Sequence, residues 1–156
     1  MHKRRFLLIA TAALASVAIA APLPYNEAAN AKADLDQALA AASASKRSVL
    51  LIFGANWCED CRALDAALKT AKNAELVAKE FVLVKVDVGN FDRNLPVAEQ
   101  YGNPIKRGIP AAVVLSPGNQ VLYTTRMGEL SDARRMSETG VYDFFSKVVA
   151  SSKAKK

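Results

Sequence analysis

Cys58 and Cys61 are the two cysteines of this 156-residue chain, and they stand in the run Cys58-Glu59-Asp60-Cys61. The pair lies where an apolar run, Ser48 to Phe53, passes through Gly54-Ala55-Asn56-Trp57 into a helical pattern, so Cys58 falls at a helix N-terminus. Unpaired backbone N–H groups there favour an anion, and the thiolate is the reactive form of cysteine. Cys61 falls one turn later on the same side, within reach of a mixed disulfide formed at Cys58. The spacing therefore supplies a nucleophile and a resolving thiol. Other uses of two cysteines compete with this one. A structural bridge across so short a loop stabilises by only about 2 kcal/mol in the chain-entropy account. Attachment of c-type haem needs histidine directly after the second cysteine, and that position is Arg62. Zinc or an iron–sulfur cluster ordinarily takes four ligands. Copper(I) on two thiolates stays open as an alternative, as does a static bridge in a non-catalytic binding module.

The elements that must hold the pair follow from hydrophobic period. Pro22 to Asn30 is a short proline-containing leader, after which Leu35, Ala38, Leu39 and Ala42 recur at helical spacing. Ser48 to Phe53 is almost unbroken in its apolar character, which predicts a central strand buried on both faces. Beyond Cys58, a helix carries Cys61, Leu64, Leu68 and Ala71 on one side, with Arg62, Asp65, Lys69 and Lys72 largely on the other. A short helix is predicted around Ala74 to Lys79. Phe81 to Val88 alternates, placing Val82, Val84, Val86 and Val88 opposite Leu83, Lys85 and Asp87. A helix over Leu95 to Tyr101 ends at Asn103-Pro104. Ala111 to Leu115 and Gln120 to Thr125 flank the turn signal Ser116-Pro117-Gly118-Asn119, predicting a hairpin. Val141, Phe144, Phe145, Val148 and Val149 define an amphipathic closing helix. This order implies an α/β fold with a central mixed β-sheet flanked by helices on both faces.

The two ends of the chain read differently from its body. Lys3-Arg4-Arg5, the uncharged run Phe6 to Ala20 and the small-x-small ending Ala18-Ile19-Ala20 give residues 1–20 the layout of a signal peptide. The alternative is an uncleaved anchor, because the run approaches the roughly 17–25 apolar residues that span a bilayer. With cleavage after Ala20, residues 21–33 form the leader, 34–150 one domain and 151–156 a polar basic tail, expected to be solvated and frayed. Lys3, Arg4, Arg5, Lys153, Lys155 and Lys156 account for the whole formal charge of +6, so the body is near neutral. It lacks the basic stripe that a nucleic-acid partner calls for. Export, most simply to a periplasm, is the expectation, with no stable membrane association once the signal is removed. Disulfide chemistry fits such a compartment. The single histidine, His2, belongs to the segment expected to leave. Ser-His-Asp and Cys-His hydrolysis, a histidine zinc site and histidine general-base catalysis are thereby excluded for the mature chain.

The run Leu50 to Arg62, containing Trp57-Cys58-Glu59-Asp60-Cys61, resembles the strand, Trp-Cys-x-x-Cys and helix start of the thioredoxin superfamily. Gln100-Tyr101-Gly102 followed by Arg107-Gly108-Ile109-Pro110 is similar to its Tyr-Gly and Gly-Ile-Pro segment, and Thr125 to Leu130 to its groove-side glycine segment. The likeness covers about residues 34–150 and is nearest to periplasmic thioredoxin-like and disulfide isomerase-like proteins. It implies a thioredoxin-like fold and a thiol-disulfide oxidoreductase that works without a cofactor or metal. Its partners would be exported proteins bearing disulfides and a redox protein supplying electrons. Cys58 and Cys61 would be catalytic. The resemblance also implies a cis bond at Ile109-Pro110 beside the cysteines, with the Ile109 backbone pairing with substrate. Trp57 and Gly128 would border the groove, against plainer readings as a half-buried core tryptophan and a turn glycine. The chain departs from the family at Ile52, where a buried aspartate is expected. Lys85 matches the family's lysine on the next strand, and Lys85 and Asp87 together read as solvated edge charges rather than as a substitute polar pair. Extra sequence between Asn90 and Arg107 is expected to reshape the groove rim. Glu59 and Asp60 disfavour a thiolate, which argues for reductase or isomerase behaviour over a dedicated oxidase, since a strong oxidant depends on a stabilised reduced form. Arg62 opposes them, against a plainer reading in which it points to solvent.

Overall fold

The computed structural model describes residues 22–155, so the expected signal peptide lies outside the described residues. Four strands, β1 (Ser48–Gly54), β2 (Phe81–Asp87), β3 (Ala111–Leu115) and β4 (Val121–Thr124), form one mixed sheet in the order β2-β1-β3-β4. β1 runs parallel to β2 and antiparallel to β3, and β3 and β4 are the predicted hairpin, with a bulge at Val114/Leu115. Central position explains the composition of β1: all seven residues are buried, because helices cover both faces. Its period-2 alternation sends Val49, Leu51 and Phe53 into one core and Leu50 and Ile52 into the other. Burying one such side chain is worth about 1.5–3 kcal/mol relative to exposure.

Helix α1 (Ala31–Ser45) covers the first face with Leu35, Ala38 and Ala42, joined there by α4 (Leu95–Gln100) through Val97 and Ala98. The second face holds α2 (Glu59–Leu68), α3 (Ala71–Glu80) and α5 (Glu138–Lys153), packed through Leu64, Leu68, Phe145 and Val148. Capping fixes the starts of two of these helices. The Asn30 side chain accepts from the Ala33 N–H at 3.1 Å, and the Ser137 hydroxyl from Gly140 at 3.0 Å. Two 3-10 turns, Pro104–Arg107 and Ala133–Arg135, finish the fold.

Both ends of the domain are more ordered than the sequence suggests. The leader is docked: Tyr25 is buried in the α1-side core, and α1 begins at Ala31, ahead of the expected boundary at 34. The basic tail does not fray where expected. α5 continues through Lys153, Ser152 is buried, Lys153 pairs with Glu80 at 2.9 Å, and Lys155 donates to the Leu122 carbonyl at 2.7 Å. A helix already nucleated on Phe145 and Val148 extends at low cost, and tertiary partners capture its basic side chains.

Candidate active site

The chain leaves β1 at Gly54 and starts α2 five residues later, and Cys58 is the N-cap of that helix. The Cys61 N–H donates to the Cys58 Sγ at 3.1 Å, so the sulfur occupies the place of a capping oxygen. A backbone donor and the positive end of a helix both favour a thiolate at that point. The two cysteines form a disulfide. They are not equivalent. Cys58 opens onto a cleft lined by Trp57, Glu59, Asp60, Phe91, Gly108, Ile109 and Arg134, whereas Cys61 is completely buried beneath it.

The Ile109-Pro110 bond is cis, and the Ile109 carbonyl oxygen lies 3.6 Å from the Cys58 Sγ. The structure thus brings Ile109 and Pro110 beside the pair. Trp57 stands on the rim and not in the core: it is 54 % exposed, and its indole N–H donates to the Gly89 carbonyl at 2.8 Å. Phe91 lies across from it, 42 % exposed, the ring centroids being 6.2 Å apart. Phe91 comes from the extra segment after Asn90 and holds a left-handed backbone (φ 62°) that few non-glycine residues adopt. Gly128 is not among the residues that line this cleft. At φ 76°, a side-chain carbon there would come 2.8 Å from the Arg107 carbonyl oxygen, so glycine permits the close approach of two loops.

Three electrostatic expectations need correction. The charge that opposes the acidic spacer is Arg134 and not Arg62, whose guanidinium donates to the Asn56 carbonyl. Arg134 donates to Asp60 from its backbone N–H at 2.9 Å and from its guanidinium at 3.0 Å, and lies 3.8 Å from Glu59. Lys85 and Asp87 are neither free edge charges nor each other's partners. Lys85 is hydrogen-bonded to Asp65, while Asp87 is paired with Arg93 at 3.4 Å. Asp65 is not on the solvent side of α2 but buried at its margin, where it also accepts from Lys69 at 2.7 Å. Burial pushes the Asp65 carboxyl up, and the hydrogen bonds from Lys69 and Lys85 more than offset it, holding it below the usual carboxylate range.

Beneath the pair lies Tyr25. A side-chain carbon on Gly54 would overlap its hydroxyl and come within 2.9 Å of the Cys61 Sγ. The sequence carried a signal for Asp65 that its assignment to the far side of the helix missed, since it follows Cys61 by four positions and shares its helix face. Arg134 carried none, being 74 residues from Asp60. Phe91 and Tyr25 were visible only as isolated aromatics.

Similarity to known proteins agrees with this geometry. A profile described as Thioredoxin-like matches residues 30–117. The chain is 32% identical over 102 residues to a thioredoxin of Buchnera aphidicola subsp. Baizongia pistaciae (strain Bp), covering 63% of this chain and 81% of that one. The fold superposes on the crystal structure of a disulphide isomerase from Xylella fastidiosa Temecula1 with TM-score 0.81 and 54% identity, over 83% of this chain and 98% of that one. A thioredoxin from Thermus thermophilus shares the fold at TM-score 0.52 and 22% identity, over 72% of this chain and 79% of that one. With its Trp-Cys-x-x-Cys loop at the start of a helix and a cis-proline turn beside it, the chain belongs to the thioredoxin-like family of oxidoreductases.

Proposed function

We propose that this protein reduces or exchanges disulfides in exported proteins, with Cys58 attacking and Cys61 resolving. The observation that carries the reading is the inequality of the two sulfurs: Cys58 caps the helix at the open cleft, and Cys61 is fully buried one turn inside. The Cys58 thiolate attacks a substrate disulfide, forming one S–S bond and expelling a substrate thiolate that takes a proton from solvent. The Cys61 thiolate then attacks the Cys58 sulfur, closing the Cys58–Cys61 bond and releasing the second substrate thiolate. Two electrons pass to the substrate, and a redox partner restores the dithiol. An extended substrate segment would pair with the Ile109 backbone beside Pro110, and Trp57 and Phe91 would grip apolar side chains on its flank.

Reduction or exchange is favoured over dedicated oxidation. Arg134 offsets Asp60, so the spacer and this arginine together leave about one negative charge, carried by exposed Glu59. The similarity to a disulphide isomerase from Xylella fastidiosa supports exchange as the activity. Export rests on the signal layout of residues 1–20. Among the described residues no helix is long and apolar enough to cross a membrane. Insulin reduction in the presence of dithiothreitol, run beside copper(I) titration, tests the proposal. Catalysed precipitation of insulin chains is expected. Absence of turnover together with stoichiometric copper(I) binding would instead establish the ligand role of the same cysteines.

A further inference from the structure

We propose that Tyr25 is the positioning residue of the resolving step: once the disulfide is reduced, its hydroxyl donates a hydrogen bond to the Cys61 sulfur. The segment ahead of α1 is then part of the active site. This inference rests on the assignment of Cys61 as the resolving thiol.

The argument begins from a cost. Cys61 is fully buried, and a thiolate removed from water is expensive unless a donor faces it. Phe53, a strand residue that shares the Cys61 core, is a hydrocarbon and offers none. Asp65 follows on the same helix face, but both its oxygens are already engaged by Lys69 and Lys85. The hydroxyl of Tyr25 is the group that reaches the space. Gly54 lacks the side chain that would fill the gap, and the Tyr25 hydroxyl and the Cys61 Sγ converge on that one vacant position.

The leader is held there by more than burial of a ring. Asn56, two residues before Cys58, accepts from the Tyr25 N–H through Oδ1 at 2.9 Å and donates from Nδ2 to the Tyr25 carbonyl at 2.9 Å. Arg62, directly after Cys61, donates to the Asn56 carbonyl at 2.6 Å. Glu27 accepts from Asn56 Nδ2 at 3.1 Å and pairs with Arg93 at 3.5 Å. Leader, active-site loop and helix start are therefore tied together, and none of these ties runs through the Cys58–Cys61 bond. Burial, with Asp65 and Asp87 nearby, pushes the Tyr25 hydroxyl far above the ordinary phenol range. It stays protonated at any working pH, a donor and not a base. The Cys61 proton goes to solvent; the tyrosine keeps its own, and no electron passes through it.

The test is Tyr25→Phe in the full chain, which preserves the ring and deletes the donor. In a reduced Cys58→Ala background, the pH midpoint for alkylation of Cys61 should rise by about one unit, a tenfold loss of thiolate. With Cys58 present, a preformed mixed disulfide should resolve about tenfold more slowly below that midpoint, with Cys58 alkylation at its original rate. Asn56→Ala, which loosens the clamp on the same residue, should move the midpoint in the same direction by less. An unchanged or lowered midpoint in Tyr25→Phe overturns the inference. The midpoint is read without turnover, so it decides the hydrogen bond even if the unaltered chain fails to exchange disulfides, a failure that would instead overturn the proposed function.

Discussion

The rim and the underside of the active site lie on either side of one four-residue loop, yet they are built by different rules. On the rim, Trp57, Phe91 and Glu59 face water, and the charge of Asp60 is met by a half-exposed Arg134. On the underside, Cys61, Tyr25 and Asp65 are buried, and Asp65 is held by Lys69 and Lys85. Exposed Glu59 and half-exposed Arg134 are screened by solvent and salt, so their individual effects are small. Asp60, by contrast, is itself buried and held by two hydrogen bonds from Arg134. Polar groups beneath act in a poorer dielectric, where a lost partner is felt in full. The same pair of cysteines thus has an open cleft on one side and a buried polar group, the Tyr25 hydroxyl, close by on the other.

The largest expected contrast is between the two sulfurs. Cys58→Ser should abolish disulfide exchange, whereas Cys61→Ser should still attack and accumulate mixed disulfides, both visible on non-reducing gels and in an insulin assay. Near-normal turnover of Cys58→Ser would reverse the assignment of rim and underside.

Next comes packing. Gly54→Ala adds a carbon where the Tyr25 ring and the Cys61 sulfur already meet, and such overpacking costs about 1–3 kcal/mol. Trp57→Ala, on the open rim, should cost no more than about 0.5 kcal/mol while lowering kcat/KM for peptide disulfides. Urea midpoints and peptide kinetics measured on both variants would erase the comparison if the two losses of stability were equal.

Acid titration gives a third measure. The folded-state pKa of Asp65 is depressed, so the stability it contributes is complete above the unfolded carboxylate value of about 3.9 and is lost as pH falls through the lower folded value. Asp65→Asn should therefore destabilise the protein at pH 7, leaving Lys85 without its carboxylate, and should flatten the remaining loss of stability below about pH 4. Equal pH slopes in the two proteins would show that the ion pair contributes nothing.

The smallest effects belong to the rim charges. Glu59→Gln should make the couple more oxidising and Arg134→Ala more reducing, each by less than about 30 mV, the equivalent of one pKa unit of thiolate stabilisation. Equilibration with glutathione measures both shifts. If Arg134→Ala raised the potential, the electrostatic reading of the rim would be wrong in sign.

What the sequence determined by itself was local. The unbroken apolar run Ser48 to Phe53 required a strand covered on both faces, the period of Val141 to Val149 required an amphipathic helix, and the passage from Gly54 to Cys58 put a thiol at a helix start. Each of these follows from residues within a few positions of one another, where covalent geometry dictates which side chains share a face. The cis bond at Ile109-Pro110 was implied by resemblance and is present, though nothing in the residues alone distinguishes it from a trans bond. Tertiary structure alone decided which partners the polar groups take. Asp60 meets Arg134 across 74 residues, Lys85 chooses Asp65 over Asp87, and a tyrosine from a leader with no regular period lodges beneath Cys61. Such pairings depend on where loops return after the sheet has closed, and a charged or aromatic side chain carries no record in its neighbours of what will face it. The chemistry was therefore legible in two cysteines, while the environment that tunes it was written only by the fold.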